Sequence, residues 1–261
     1  MDPTVEELLL QRAAAGFPIP ARRRHGLPAP IRELHRRVLG HFAATGEPPP
    51  PATLVAWATE LGVGLQDALG RLVEADLVEA DPTTGELAGA YPFVANPRGH
   101  QVHLTGGLTV QAYCAIDALG IPAMLDQDAT ITSHDPLTGV PITVEVRDGR
   151  AHPMPAGVVV GYVIDHRGAA GDAGDAGQAA CCRCPLINFH VSPATAQSWQ
   201  QRQGVRLELL AIPHALQLGA AVFGDLLRSP DSADQDPSGA AATASWTIAA
   251  RGGRPDDSLT P

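Results

Sequence analysis

The spacing of apolar residues changes along the chain, and this change limits the folds that the chain can adopt. Between residues 31 and 73 the apolar residues recur three and four positions apart, which is the spacing of amphipathic helices. Residues 129–133 and 140–146 are instead short β-branched runs on either side of a turn that contains Pro and Gly, which is the pattern of a hairpin. A helical segment followed by a strand-rich one predicts the α+β class.

The helical segment has the pattern of a winged-helix domain. One predicted helix covers residues 31–44, and two shorter ones follow, separated by turns that contain Pro or Gly. A predicted β-hairpin comes next. We therefore predict a winged-helix-like three-helix domain over residues 31–95, preceded by a loosely held N-terminal arm over residues 1–30.

Winged helices often bind DNA, but the charge of this one argues against that function. Residues 31–80 contain four Arg and seven acidic residues, and the whole chain has a formal net charge of -10. Binding of phosphate groups needs net positive charge, which this segment lacks. We therefore predict no nucleic-acid partner and expect the domain to pack on the rest of the chain.

The remainder of the chain predicts a mixed or antiparallel β-sheet with flanking helices over residues 100–228. Its predicted strands are 129–133, 140–146, 157–164, 186–191 and 207–212, and its predicted helices are 108–119, 193–203 and 213–228. Residues 167–180 are nearly all Gly, Ala, Asp and Gln, which predicts a flexible loop. The composition of residues 229–261 predicts a disordered tail.

The chain has no sequence signal that would direct it to a membrane. Its acidic start does not resemble a signal peptide, and no apolar run approaches the roughly 20 residues that span a bilayer. We therefore expect a cytoplasmic protein with no membrane partner. Three of its four cysteines lie within residues 181–184, and in a reducing compartment such clusters favour metal binding or catalysis over disulfides.

Cys114 and Asp117 are the first candidate site residues. Residues three apart on a helix share a face, so the thiol and the carboxyl group are predicted to lie together. Their neighbours are apolar, and such surroundings favour a protonated or paired carboxyl group. A buried structural cysteine beside an aspartate is the alternative interpretation.

The second candidate site is the segment Cys181-Cys182-Arg183-Cys184. If the segment enters a strand, Cys182 and Cys184 share one face. The positive charge of Arg183 would lower the pKa of a neighbouring thiol. Alternatively, Arg183 would be a solvated surface charge. Structural zinc normally uses two separated Cys pairs, which this chain lacks, so we predict no structural zinc site. The histidines at 134, 190 and 214 are weaker candidate ligands, because a lone histidine is more often structural.

These two segments, together with residues around them, resemble the organomercurial (alkylmercury) lyase family. The resemblance covers roughly residues 100–228. In order along the chain it includes Tyr113 to Leu119, Pro122-Ala123, Ser133-His134, Thr138-Gly139, Cys181-Cys182, Phe189, Ser192-Pro193, Thr195-Ala196, Trp199, Leu210-Ala211-Ile212, His214 and Phe223.

The resemblance implies a catalytic domain over residues 100–228 with Cys114, Asp117 and Cys181 as catalytic residues and with no bound cofactor. Cys114 would take the mercury of R–Hg⁺, Cys181 would add a second sulfur, and Asp117 would relay a proton to the leaving carbon. The products would be R–H and Hg(II) held by thiolates, with Cys182 and Cys184 as further candidate ligands. The implied partners are an organomercurial substrate and an acceptor of Hg(II), either cellular thiols or a mercury-reducing enzyme.

The chain also departs from the family. Asp135 stands where members commonly carry a cysteine, Cys184 is extra, and the loop at 167–180 is longer. Two alternatives therefore stay open: a homologue that acts on another substrate, and a soft-metal-binding or sensing protein that uses the cysteine cluster. Asp117 favours an enzyme, because a pure thiolate site has no use for a proton donor.

Overall fold

A computed structural model of the chain describes Thr4, Glu7 and residues 20–165 and 179–228, with the backbone only at residues 21, 164, 165, 181 and 182. Most of the predicted arm, most of the predicted loop and the predicted tail lie outside these residues. The described residues up to Arg228 belong to one compact unit. None of the helices within these ranges is long and apolar enough to cross a membrane.

The N-terminal part is helical, as the apolar spacing predicts. Its helices are α1 (Pro20–His25), α2 (Ala29–Thr45), α3 (Pro51–Glu60) and α4 (Leu65–Glu74). Helix α2 buries the face formed by Ile31, Leu34, Val38, Leu39 and Phe42. Each of α2 and α3 has a proline within its first two positions. A backbone N–H there would make no intrahelical hydrogen bond, so its absence in proline costs nothing.

An eight-stranded antiparallel sheet forms the centre of the fold and confirms the α+β class. Its strands are β1 (Val78–Ala80), β2 (Leu87–Ala90), β3 (Phe93–Val94), β4 (His100–Leu104), β5 (Thr109–Ala112), β6 (Ala129–His134), β7 (Pro141–Arg147) and β8 (Arg150–Met154). The spatial order is β1-β2-β3-β5-β4-β6-β7-β8. The sheet is thus continuous across the predicted domain boundary between residues 95 and 100.

A second sheet and the remaining helices complete the described fold. The sheet has the order β10-β9-β11, formed by β9 (Val159–Asp165), β10 (Asn188–His190) and β11 (Arg206–Ala211). The helices are α5 (Ala115–Leu125), α6 (Ala179–Cys182), α7 (Pro193–Gln203) and α8 (Ile212–Phe223), with a 3₁₀ turn at Cys184–Leu186. Helix α7 has the predicted start, since Ser192 caps it through the backbone N–H of Thr195.

The prediction of one helix over residues 108–119 is wrong in its first half. Residues 109–112 form strand β5, in which Val110 pairs with Val102 of β4. Helix α5 begins only after Cys114 and continues through Pro122 to Leu125. The apolar residues of 109–112 fit either a helix or a buried strand, and pairing with β4 decides between them.

Helix α5 is held against α8 by a close approach of backbones. A Cβ atom on Gly219 would lie 2.8 Å from the backbone nitrogen of Gly120 and 2.9 Å from the carbonyl oxygen of Ile116. Real Cβ atoms are not found this close, so the absence of a side chain at Gly219 permits the contact. The packing fixes the helix that carries Asp117.

Candidate active site

The structure brings Cys114 and Asp117 together at the start of helix α5. Cys114 is the N-cap residue, in extended conformation with φ −150° and ψ 176°, and Asp117 lies in the first turn. The predicted proximity of the two side chains therefore holds, although Cys114 caps the helix instead of lying inside it. Both residues are buried, each with 2% of its surface exposed.

Cys184 is the third member of this cluster. One sulfur or oxygen atom from each of Cys114, Asp117 and Cys184 lies within 4.8 Å of the others. The Cys184 thiol donates to Oδ2 of Asp117 over 3.7 Å, and Cys184 is only 6% exposed. Among the described side chains, this is the one group of three potential ligands that could hold a metal ion.

The electrostatics of the cluster keep Cys114 protonated at rest. Burial raises the pKa of the Cys114 thiol, and this effect outweighs the hydrogen bond with Cys184, which lowers it. The charge of Asp117 raises this pKa further. A metal that binds to Cys114 must therefore displace a proton.

The predicted strand over residues 186–191 begins later than expected, and the residues before it are helical. Cys181 and Cys182 end helix α6, Cys184 opens the 3₁₀ turn, and the strand is only Asn188–His190. The prediction that Cys182 and Cys184 share a strand face is therefore wrong. The side chains of Cys181 and Cys182 lie outside the described residues.

Arg183 lies inside the protein. It is 6% exposed, so its interpretation as a solvated surface charge is wrong. Burial raises the pKa of the Asp76 carboxyl group. The positive charge of Arg183 is one of the weaker influences that lower this pKa. The predicted effect of Arg183 on a neighbouring thiol of the segment 181–184 stays a prediction.

Two residues from outside the predicted site hold the start of helix α6. Asp76 follows helix α4 in the left-handed conformation, with φ 52°, and its carboxylate accepts the backbone N–H of Ala179 over 3.2 Å. The Tyr91 hydroxyl accepts the N–H of Ala180 over 2.7 Å and donates to Asp76 over 3.2 Å. Sequence reasoning missed both residues, because their partners lie 89 and 103 positions away.

We expect Tyr91→Phe to loosen the cysteine segment. The substitution removes the acceptor of a buried backbone N–H, which costs about 1–3 kcal/mol of the free energy of unfolding. Denaturant unfolding should show this loss, and iodoacetamide should alkylate Cys184 several-fold faster while Cys114 reacts as in the wild type. Unchanged stability together with unchanged alkylation of Cys184 would contradict this role.

Asp135, at the position where the family commonly has a cysteine, ties the β6–β7 turn to the end of β10. Its Oδ1 accepts the backbone N–H groups of Leu137 and Thr138 over 2.8 and 3.0 Å, and its Oδ2 accepts that of Val191 over 2.9 Å. Burial alone would raise the pKa of Asp135, but these hydrogen bonds outweigh it and lower the pKa. The carboxylate thus supplies a structural link.

We expect Asp135→Ala to lower the free energy of unfolding by about 2–3 kcal/mol, because hydrogen bonds to a charged acceptor are lost. Folding lowers the pKa of Asp135. Its carboxylate therefore contributes to the free energy of unfolding at any pH above the ordinary carboxyl pKa, and this contribution is lost as the pH falls through the pKa of the folded state. Urea unfolding at neutral and acid pH measures both effects. The exposed Asp67→Ala is the control, and it should change stability by less than about 1 kcal/mol.

Two of the candidate histidines lie outside this cluster. His190 is fully buried beside Trp199, with 5.5 Å between ring centroids, and burial lowers its pKa to about 4. His134 is exposed at the end of β6. Neither histidine belongs to the cluster of Cys114, Asp117 and Cys184.

Comparison with known proteins identifies the family of this chain. The family model described as alkylmercury lyase matches residues 93–224. An alkylmercury lyase of Pseudomonas putida is 28% identical over 126 residues, which are 48% of this chain and 55% of that protein. The chain thus spans about half the length of this curated relative.

The fold is also found among solved structures. A crystal structure of the mercury-bound form of MerB2 aligns with a TM-score of 0.65 and 22% identity, over 80% of this chain and 97% of that one. The likeness establishes a common fold for the two chains. With the family model matching half of the chain, the predicted resemblance is confirmed: this chain belongs to the alkylmercury lyase family.

Proposed function

We propose that the protein is an organomercurial lyase that cleaves the carbon–mercury bond of R–Hg⁺ by protonolysis. The observation that carries the proposal is the buried cluster in which the Asp117 carboxyl group lies within 4.8 Å of two thiols. Thiolate sulfur is the preferred ligand of a soft cation such as Hg(II), and a carboxyl group can donate a proton. Family membership supports the same chemistry.

The reaction needs two sulfurs and one proton. Cys114 binds the mercury of R–Hg–X, releasing HX, and a second thiol then adds to the same mercury and passes its proton to the Asp117 carboxylate. The Hg–C bond breaks as its electron pair takes a proton from Asp117, which gives R–H and Hg(II) bound to two thiolates. No oxidation state changes, so neither a redox partner nor a bound cofactor is required.

The second sulfur is proposed to come from the segment that contains Cys181, Cys182 and Cys184. The resemblance assigns this role to Cys181, which matches the first cysteine of the family's Cys-Cys pair. Cys182 and Cys184 are further candidate ligands for the product ion. The thiol of Cys184 donates a hydrogen bond to Asp117 over 3.7 Å.

The cellular setting follows from the chemistry of the product. Thiolate-bound Hg(II) leaves by exchange, so cellular thiols or a mercury-reducing enzyme are the proposed acceptors, in the cytoplasm. Helices α2 to α4 with strands β1 and β2 are proposed as the winged-helix-like domain. Its acidic surface supports packing on the main sheet over binding of nucleic acid.

One assay tests the proposed function. Purified protein is mixed with excess thiol and a phenyl- or methylmercury salt, and benzene or methane is measured by gas chromatography. Catalytic release of hydrocarbon above the protein-free rate is the expected result. Tight binding of mercury without hydrocarbon release would overturn the proposal and favour the soft-metal-binding alternative.

A further inference from the structure

We propose that Cys184 supplies the second sulfur and the transferred proton in this chain, a role that the family resemblance gives to Cys181. The inference rests on the proposed lyase function and deepens it. The resemblance gives Cys184 only as a further candidate ligand. Its position beside Cys114 and Asp117 became visible only in the folded chain.

The distances suit one mercury ion shared by two sulfurs. The Cys114 and Cys184 sulfurs lie within 4.8 Å of each other. Two metal–thiolate bonds of about 2.3 Å each, the length known for zinc, span up to about 4.6 Å. An ion between the two thiolates therefore needs little movement of either residue.

Backbone contacts hold the two cysteines in this arrangement. The N–H of Ala115, next to Cys114, donates to the carbonyl oxygen of Ile187 over 3.1 Å. The N–H of Ile187 in turn donates to the carbonyl oxygen of Cys184 over 3.0 Å and closes the 3₁₀ turn. Pro185 lies in the first positions of this turn, where its fixed φ reduces the conformational freedom of the segment.

The hydrogen bond between Cys184 and Asp117 gives the proton a path. The thiol proton of Cys184 passes over the 3.7 Å contact to Oδ2 of Asp117 as the Cys184 sulfur binds mercury. Asp117 then delivers a proton to the carbon, and the Hg–C electron pair forms the new C–H bond. The product is Hg(II) bridged between Cys114 and Cys184, with Asp117 returned to its carboxylate form.

Three single variants of the full-length protein test this assignment. Cys181→Ser, Cys182→Ser and Cys184→Ser each remove one thiol from the same segment, so the number of remaining thiols is matched. Phenylmercury acetate is the probe, and benzene release is measured in a single turnover. Transfer of protein-bound Hg(II) to an excess dithiol is measured separately, and thermal unfolding checks the fold. Cys184→Ala is made in parallel, in case the serine variant does not fold.

We expect the Cys184 variant to release benzene at least about tenfold more slowly than either of the other two variants. It should also lose Hg(II) to the dithiol at least about tenfold faster, because one thiolate ligand is missing. The assignment to Cys184 is overturned if Cys181→Ser or Cys182→Ser shows the larger loss. If the wild type releases no benzene, the lyase function fails, and Hg(II) transfer alone decides whether Cys184 is a mercury ligand.

Discussion

Cys114→Ser is expected to reduce hydrocarbon release to the protein-free rate. The hydroxyl group is a hard ligand that is not ionised at neutral pH, so it cannot take mercury from R–Hg–X as a thiolate does. The variant should still fold. Residue 114 is the N-cap of helix α5, and serine is among the preferred N-cap residues.

Three measurements check this prediction. Thermal unfolding should show a melting temperature equal to or above that of the wild type, and mass spectrometry should show no organomercury adduct at residue 114. Gas chromatography then gives the rate of hydrocarbon release. A folded Cys114→Ser protein that retains more than about a tenth of wild-type turnover would contradict the proposed role of Cys114.

Asp117→Asn is expected to separate mercury capture from bond cleavage. Asparagine keeps the shape of the side chain but has no acidic proton to give to carbon. Because both thiols remain, the variant should still form the organomercury adduct. Its cleavage rate should fall by about 10²–10⁴-fold, the usual contribution of general acid catalysis.

Adduct formation is followed by mass spectrometry and cleavage by hydrocarbon release in a single turnover. Asp126→Asn is the matched control, because Asp126 lies at the other end of the same helix, in a left-handed conformation that asparagine tolerates. It should cleave like the wild type. If Asp117→Asn also cleaves at nearly the wild-type rate, the proton has another source and Asp117 is only structural.

Local sequence patterns were sufficient to predict much of the secondary structure. The helix after Ser192 begins with its predicted cap, and strands β6 and β7 form the predicted hairpin. The proximity of Cys114 and Asp117 was also predictable, because it depends on a three-residue separation within one turn. Signals of this kind act between neighbours in the chain, where the backbone itself fixes the geometry.

Segments with ambiguous local signals were predicted less well. Residues 109–112 form a strand because β4 pairs with them, and a local apolar pattern does not reveal a distant partner. Similarly, the cysteine segment is helical where a strand entrance was expected, since Asp76 and Tyr91 satisfy the first N–H groups of α6. These contacts join residues far apart in sequence.

The sequence by itself determined the family, the α+β class and the Cys114–Asp117 pair. Each of these follows from residue order or from spacing within a single element. Only the tertiary structure decided that Cys184 contacts Asp117 and that Asp135 links the β6–β7 turn to β10. Such contacts depend on how separate elements pack, because burial brings together polar groups that must then satisfy one another.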